Sequence, residues 1–266
     1  MNQLNPYNST LLPPASSLMS IDTLRVATYN IHKGVRGIGP RRRLEIHNLG
    51  LAVEALDADL VFLQEVRLFH ERHARQFDRT HLGWPNQGQA EFLAPEGYDV
   101  AYRTNAVTRH GEHGNALLSR WPIGDIGHHD VSDHRFEQRG LLHVEVLVTG
   151  QPVHVIVVHF GLIPASRRRQ AEQVRRYIQR EIPAGAPVVV AGDFNDWGSR
   201  VQRVLAQDAL HGFEGPRTYT YPSRLPVVQL DHIYARGLRP IGLMAPRGRV
   251  WHRMSDHLPL IAEFRM

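Results

Sequence analysis

The segment Val188-Val189-Val190-Ala191-Gly192-Asp193-Phe194-Asn195 joins a run of β-branched residues to an acid and an amide. Short valine-rich runs bounded by turn-forming residues are typical of buried β-strands. A strand of this kind delivers the polar side chains that follow it to the rim of a sheet, where a ligand can reach them. The segment therefore predicts a buried strand over residues 186–192, with Asp193 and Asn195 at its carboxyl end.

Further segments along the chain also place acid, amide or imidazole groups at the end of an apolar run. A single Asp or Asn in such a position is usually a turn former or a helix cap. A cluster of these groups costs several kcal/mol to bury unless cations compensate, so their recurrence indicates a shared site. The segments are Thr28-Tyr29-Asn30, Phe62-Leu63-Gln64-Glu65, Val157-Val158-His159, Ser255-Asp256-His257 and, at a strand start, Leu230-Asp231-His232.

The spacing of apolar residues predicts many strands and few helices. Helical spacing occurs near residues 49–56 and from Ser166, as an N-cap, to Ile182. Residues 79–114 are predicted to form long loops around one short strand near residues 98–102. Other strands are expected at residues 24–31, 60–66, 115–120, 141–148, 152–160, 230–235 and 258–264.

This order of elements favours an α/β (α+β) fold, a four-layered α/β/β/α sandwich of two packed mixed sheets with outer helices. A plain doubly wound sheet would require strands and helices to alternate regularly, which they do not. Residues 1–22 are rich in Asn, Pro and Ser and are expected to form a flexible N-terminal arm. Residues 23–266 are expected to form a single catalytic domain.

The composition limits the chemistry that this chain can support. It has no cysteine, so disulfides and thiolate metal sites are excluded. Any metal must be held by oxygen or imidazole ligands, and the acids and amides favour Mg²⁺, with Mn²⁺ as the second candidate. The formal net charge is +5, which favours an anionic partner such as nucleic acid or an acidic membrane surface. Nearly all of the basic residues are arginine, however, and such a bias also arises from the base composition of a genome.

The chain has no apolar run long enough to span a bilayer, and its first residues do not resemble a secretory signal. A cytoplasmic location is the default expectation, with peripheral association at the membrane surface left open. We expect a monomer without a stable protein partner.

The clustered residue types suit hydrolysis at phosphorus. Carboxylates and amides bind Mg²⁺, and an Asp beside an Asn can orient and deprotonate an attacking water. Two imidazoles can donate hydrogen bonds to a phosphate or protonate a leaving oxygen.

These residues stand in the order shown by the endonuclease/exonuclease/phosphatase superfamily, which resembles pancreatic-type deoxyribonuclease in fold. The resemblance runs from about Leu24 to Phe264 and is carried best by Gly-Asp-Phe-Asn at 192–195 together with Ser-Asp-His at 255–257. It implies metal binding by Asn30, Glu65 and Asp256. It implies catalytic roles for His159, Asp193, Asn195, Asp231 and His257.

The resemblance also implies what each catalytic residue does. Asp193 would activate or orient the water, and Asn195 would help hold the phosphate. His257 would contact the phosphoryl oxygens while Asp231 fixes its tautomer, and His159 would be the second imidazole. Substrate contacts are expected from Asn115, in the segment at 113–120, and from Trp197, an aromatic beside the catalytic segment.

Three function classes stay open on these residues. A phosphodiesterase acting on nucleic acid, as an endonuclease or exonuclease, comes first. The alternative is a phospholipid or sphingomyelin-type phosphodiesterase, or a phosphatase on a lipid or a small phosphorylated molecule; an anionic phospholipid would then be the partner. The third is a non-catalytic binding module on the same fold. Apurinic-site nucleases of this family carry an Asp where His32 stands here, which argues against a repair role.

Overall fold

The computed structural model describes residues 23–37, 41–78 and 82–266, and the arm predicted at residues 1–22 lies outside them. One mixed sheet has six strands within this part of the chain. In spatial order they are β12 (Arg239–Met244), β13 (Leu260–Arg265), β1 (Thr23–Asn30), β4 (Leu60–Val66), β6 (Gly111–Ser119) and β5 (Asp99–Thr108).

The second sheet packs face to face against the first. In spatial order its strands are β11 (Asp231–Arg236), β10 (Val188–Asp193), β9 (Gln151–His159), β8 (Gly140–Val148) and β7 (Ile123–Asp130). The inner faces meet through alternating apolar side chains such as Val26, Phe62, Val144 and Val155, all of which are buried. A short pair, β2 (Val35–Arg36) and β3 (Arg43–Leu44), lies outside both sheets.

Helices cover the two outer faces. They are α1 (Ile46–Leu56), α2 (Glu71–Phe77), α3 (Gln89–Leu93), α4 (Pro164–Glu181), α5 (Arg200–Leu205) and α6 (Trp251–Met254). Leu49 and Val53 of α1 pack on the first sheet, and Val174 and Ile178 of α4 pack on the second, at the spacing of one helical face. The predicted four-layered sandwich of two mixed sheets is confirmed.

Strand direction gathers the polar strand ends at one edge. Strands β1 and β4 are parallel, with Asn30 level with Gln64. Strands β9 and β10 are also parallel, with His159 level with Asp193, and antiparallel β11 places Asp231 opposite Asp193. We call this edge, where β1, β4, β9 and β10 end, the catalytic edge.

Two expectations about local structure are wrong, and two strands of the main sheets were not predicted. The region around residues 98–102 is not one short strand among loops, because β5 runs for ten residues and pairs with β6, and α2 and α3 precede it. Ser166 does not cap α4: Pro164 begins that helix, and the Ser166 hydroxyl donates to Asp133 Oδ2 instead. Strands β7 and β12 were not predicted, since partly exposed edge strands lack a clear apolar alternation.

No helix in the described ranges is long and apolar enough to cross a membrane.

Buried histidines on the outer face of the second sheet predict loss of stability in acid. Burial and neighbouring His154 lower the pKa of His143 to about 4. The His143 ring contacts His154 at 3.1 Å and the Tyr177 hydroxyl at 3.2 Å. The unfolded chain therefore binds a proton that the folded chain does not. The contribution of neutral His143 to the free energy of unfolding is complete above the ordinary histidine pKa of about 6.5. It falls as the pH drops from there to about 4, by up to about 1.4 kcal/mol per pH unit.

Urea unfolding at about pH 7.5 and about pH 5 measures this effect. His143→Gln should flatten the pH dependence of the unfolding free energy, whereas His211→Gln, an exposed control, should not. An unchanged pH slope in the His143 variant would contradict the prediction.

Candidate active site

Asp193 lies at the centre of the catalytic edge and is almost fully buried. Its Oδ2 atom accepts a hydrogen bond from Asn30 Nδ2 at 3.0 Å and lies 3.6 Å from His159 Nε2 and 3.6 Å from His257 Nε2. Its Oδ1 atom accepts the backbone N–H of Asn195 at 2.9 Å. One carboxylate thus joins strand ends from both sheets and two imidazoles.

His257 is held by a buried ion pair. Its Nδ1 lies 2.8 Å from Asp231 Oδ2, and Thr220 Oγ1 donates to the same oxygen at 2.5 Å. With Nδ1 directed at Asp231, Nε2 faces Asp193. Burial by itself would lower the pKa of His257, but the charges of Asp231 and Asp193 raise it to about 10. His257 therefore carries a positive charge at neutral pH.

His159 is also buried, but its pKa shifts in the direction opposite to that of His257. Burial, with a smaller contribution from Arg139, lowers the pKa of His159 to about 4. Asp193 counteracts this, yet its oxygen lies 3.6 Å from His159 Nε2, too far for a strong hydrogen bond. The two imidazoles at Asp193 therefore differ, since His257 is cationic and His159 is neutral at pH 7.

Glu65 forms a second polar group with a left-handed turn. Residues His32, Lys33 and Gly34 all have positive φ, an unusual run that aims the His32 and Lys33 side chains inward. Lys33 Nζ lies 2.7 Å from Glu65 Oε2, and His32 Nδ1 lies 3.3 Å from Asp256 Oδ1. Burial would raise the pKa of Glu65, but Lys33 and His159 lower it well below its usual range.

The three remaining predicted residues either hydrogen-bond to backbone carbonyls or lie on the surface. Asn195 is buried and its Nδ2 donates to the Phe160 carbonyl, so it braces the loops after β9 and β10. Asn115 is fully buried and donates to the carbonyls of Gly140 and Val157, which ties β6 to the second sheet rather than to Asp193. Trp197 is 67% exposed and lies on the rim.

The donor set fits a divalent cation. Ligand atoms of Asp193, Asp231 and His257 all lie within 4.8 Å of one another, and because His257 is protonated this group offers a cation only its two carboxylates. Asp231 Oδ1 is buried and makes no hydrogen bond within the described residues, so it is an acceptor that a cation or a water could satisfy. The Glu65–Asp256 side adds two further carboxylates. Oxygen-rich groups of this type suit a hard metal ion.

Sequence reasoning missed two residues of this site and one contact within it. Lys33 is the only lysine of the chain, a signal that was visible in the sequence. Thr220 gave no comparable signal, because it precedes Asp231 by 11 residues and reaches it only through folding. The acid nearest to His159, which the motifs did not identify, is Asp193.

Comparison with known proteins identifies the family of this chain. The model of the endonuclease/exonuclease/phosphatase family matches residues 27–257. YbhP of Escherichia coli strain K12 is 38% identical over 252 residues, which cover 92% of this chain and 97% of that protein.

Solved structures share the fold. A family protein from Bacteroides vulgatus superposes with a TM-score of 0.69 at 18% identity, covering 92% of this chain and 99% of that one. A mannosyl-6-phosphatase from Bacteroides thetaiotaomicron superposes with a TM-score of 0.67 at 18% identity, covering 91% of this chain and 100% of that one. The chain belongs to the endonuclease/exonuclease/phosphatase family and is a metal-dependent hydrolase of phosphoester bonds.

Proposed function

We propose that this enzyme is a phosphodiesterase that uses Mg²⁺ and attacks phosphorus in line with an activated water. The observation that carries the proposal is the position of Asp193 Oδ2, 3.0 Å from the Asn30 amide and 3.6 Å from each of two buried imidazoles. A water bound to this oxygen would be oriented by an acid and flanked by groups that can hold a phosphate.

The charge of each catalytic residue determines its proposed role. Asp193 orients the water and accepts its proton as the water oxygen bonds to phosphorus. His257, cationic through Asp231, stabilises negative charge on the phosphoryl oxygens. Neutral His159 donates an N–H hydrogen bond to the same phosphoryl oxygens. Asn195 holds the loop that follows His159. The ester P–O bond breaks and the leaving oxygen takes a proton from solvent, so that a diester and a water give a monoester and an alcohol.

Glu65, Asn30 and Asp256 would hold the metal ion. Once bound, Mg²⁺ or Mn²⁺ would supply a Lewis acid that neutralises charge on the reacting phosphate. Lys33 stands beside Glu65 and would have to share or leave that carboxylate when the ion binds. Carboxylate and amide oxygens are also compatible with Mn²⁺, so both ions belong in the test.

The catalytic centre does not by itself select a substrate, because its groups contact only the phosphate, the water and the metal. Nucleic acid is the first candidate, given the basic charge of +5 and the exposed Trp197 beside the site. A lipid phosphodiester is the second candidate, favoured by apolar side chains on the same edge.

The test is hydrolysis of bis(p-nitrophenyl) phosphate and of p-nitrophenyl phosphate, with Mg²⁺, with Mn²⁺ and with excess EDTA. We expect metal-dependent release of nitrophenol from the diester and loss of at least about 99% of that rate with EDTA. Hydrolysis of the monoester alone would replace the proposal with a phosphatase. Diester hydrolysis that EDTA leaves intact would contradict the role assigned to the metal.

A further inference from the structure

Several exposed apolar side chains lie on the loops at the catalytic edge. We call six of them the apolar rim. Phe136 is 86% exposed, Leu162 68% and Leu225 72%. The full set is Phe136, Leu162, Ile163, Trp197, Leu225 and Val227. These residues lie on the loops between β7 and β8, β9 and α4, β10 and α5, and before β11. Single exposed apolar residues are ordinary, but a ring of them around one site indicates an interaction surface.

The loops of the apolar rim are joined to one another and to the catalytic segments. The Leu162 N–H donates to Glu137 Oε1 at 3.2 Å, which links the second loop to the first. Arg217 Nη1 donates to the Trp197 carbonyl at 3.4 Å, and the Ser223 N–H donates to the Asp256 carbonyl at 2.7 Å. Asn195 Nδ2, which donates to the Phe160 carbonyl, joins the second loop to the third, so hydrogen bonds connect all four loops.

Cations alternate with the apolar rim. Arg135, Arg168, Arg217 and Arg224 lie on the same loops or at the start of α4, and all are exposed. None of the four forms an ion pair with a carboxylate in the described ranges of the chain. The Arg135 guanidinium lies 4.6 Å from the centre of the Phe136 ring. Unpaired arginines beside exposed apolar residues complement a surface that is both negatively charged and apolar below its charges.

The type of the apolar side chains distinguishes two anionic surfaces. Single-stranded nucleic acid is bound by planar rings, which stack on bases. Leu162, Ile163, Leu225 and Val227 are aliphatic and cannot stack, but they gain free energy when they leave water for acyl chains. The aliphatic majority of the rim therefore favours lipid, and it reverses the order of the two substrate candidates that the net charge and Trp197 alone suggest.

We propose that the apolar rim inserts into an anionic lipid surface and so brings the catalytic centre to the phosphodiester of a lipid headgroup. The arginines bind the surrounding lipid phosphates while the aliphatic side chains enter the boundary of the acyl region. The choice of a lipid diester as substrate rests on the proposed phosphodiesterase function; the docking itself does not.

The test is co-sedimentation with vesicles of phosphatidylcholine alone and of phosphatidylcholine mixed with phosphatidylglycerol. The wild-type protein should bind the mixed vesicles and bind the neutral ones much more weakly. Phe136→Ser/Leu162→Ser should reduce binding by about tenfold or more, and Arg135→Glu/Arg224→Glu by a similar factor. Leu51→Ser, which removes an equally exposed leucine on α1, is the matched control and should bind as the wild type does. The thermal midpoint of each variant checks that it is folded.

Docking and catalysis are measured separately. Binding is repeated with Asp193→Asn and with EDTA, so that a protein inactive on bis(p-nitrophenyl) phosphate can still support the docking proposal. No binding of the wild type to mixed vesicles would overturn it. So would equal loss of binding in the Leu51 control, or rim variants that lose single-stranded DNA binding while vesicle binding is unchanged.

Discussion

Asp193→Asn should lower kcat/KM for bis(p-nitrophenyl) phosphate by about 10³- to 10⁴-fold while the protein stays folded. Asparagine keeps an oxygen that can accept the Asn195 N–H, so the turn after β10 is preserved. It replaces the second oxygen with an amide that cannot accept a proton. That amide also faces the Asn30 donor and the cationic His257, so the water would lose both its orientation and its base.

The matched control is Asp196→Asn. Asp196 is buried in the same loop, and its carboxylate accepts the backbone N–H groups of Gly198 and Val201 at the start of α5. Its side chain makes no contact with His159 or His257 within the described residues. We expect activity within about threefold of the wild type for this control. If Asp193→Asn kept full activity as a folded protein, the role of Asp193 would be wrong.

His257→Asn should lower kcat by about 10²- to 10⁴-fold. The asparagine amide can take the place of Nδ1 and donate to Asp231 Oδ2, which preserves the buried hydrogen bond. It removes Nε2 and the positive charge that faces Asp193. The loss should fall mainly on kcat, since that charge stabilises the transition state more than bound substrate.

His257→Ala provides the comparison. It should be as inactive as His257→Asn but less stable by about 1–3 kcal/mol, because alanine removes the hydrogen bond to the buried Asp231 Oδ2 that asparagine would still donate. Urea unfolding and the nitrophenol assay separate the two effects. His154→Asn, a buried histidine near the other end of β9, is the control for catalysis. Wild-type turnover by a folded His257→Asn protein would rule out a catalytic role for this imidazole.

The strand ends at Asn30, Glu65, His159 and Asp193 were predictable because each depends on local order. A run of apolar β-branched residues forms a buried strand, and the polar residue that follows it must then lie at the edge. The four-layered architecture followed from the same runs. The length of β5 and the existence of β7 were not predictable, since half-exposed strands are defined by their pairing partners rather than by their own apolar residues.

By itself, the sequence determined the family, the fold class and the residue types of the catalytic centre. Only the tertiary structure decided which of those residues meet and what charge each one carries. Lys33 reaches Glu65, and Thr220 reaches Asp231, only through folding of the chain. The pKa values of His159 and His257 shift in opposite directions because both rings are buried while only His257 contacts a second carboxylate, Asp231. Burial and ion pairing depend on three-dimensional neighbours, which no local pattern of residues encodes.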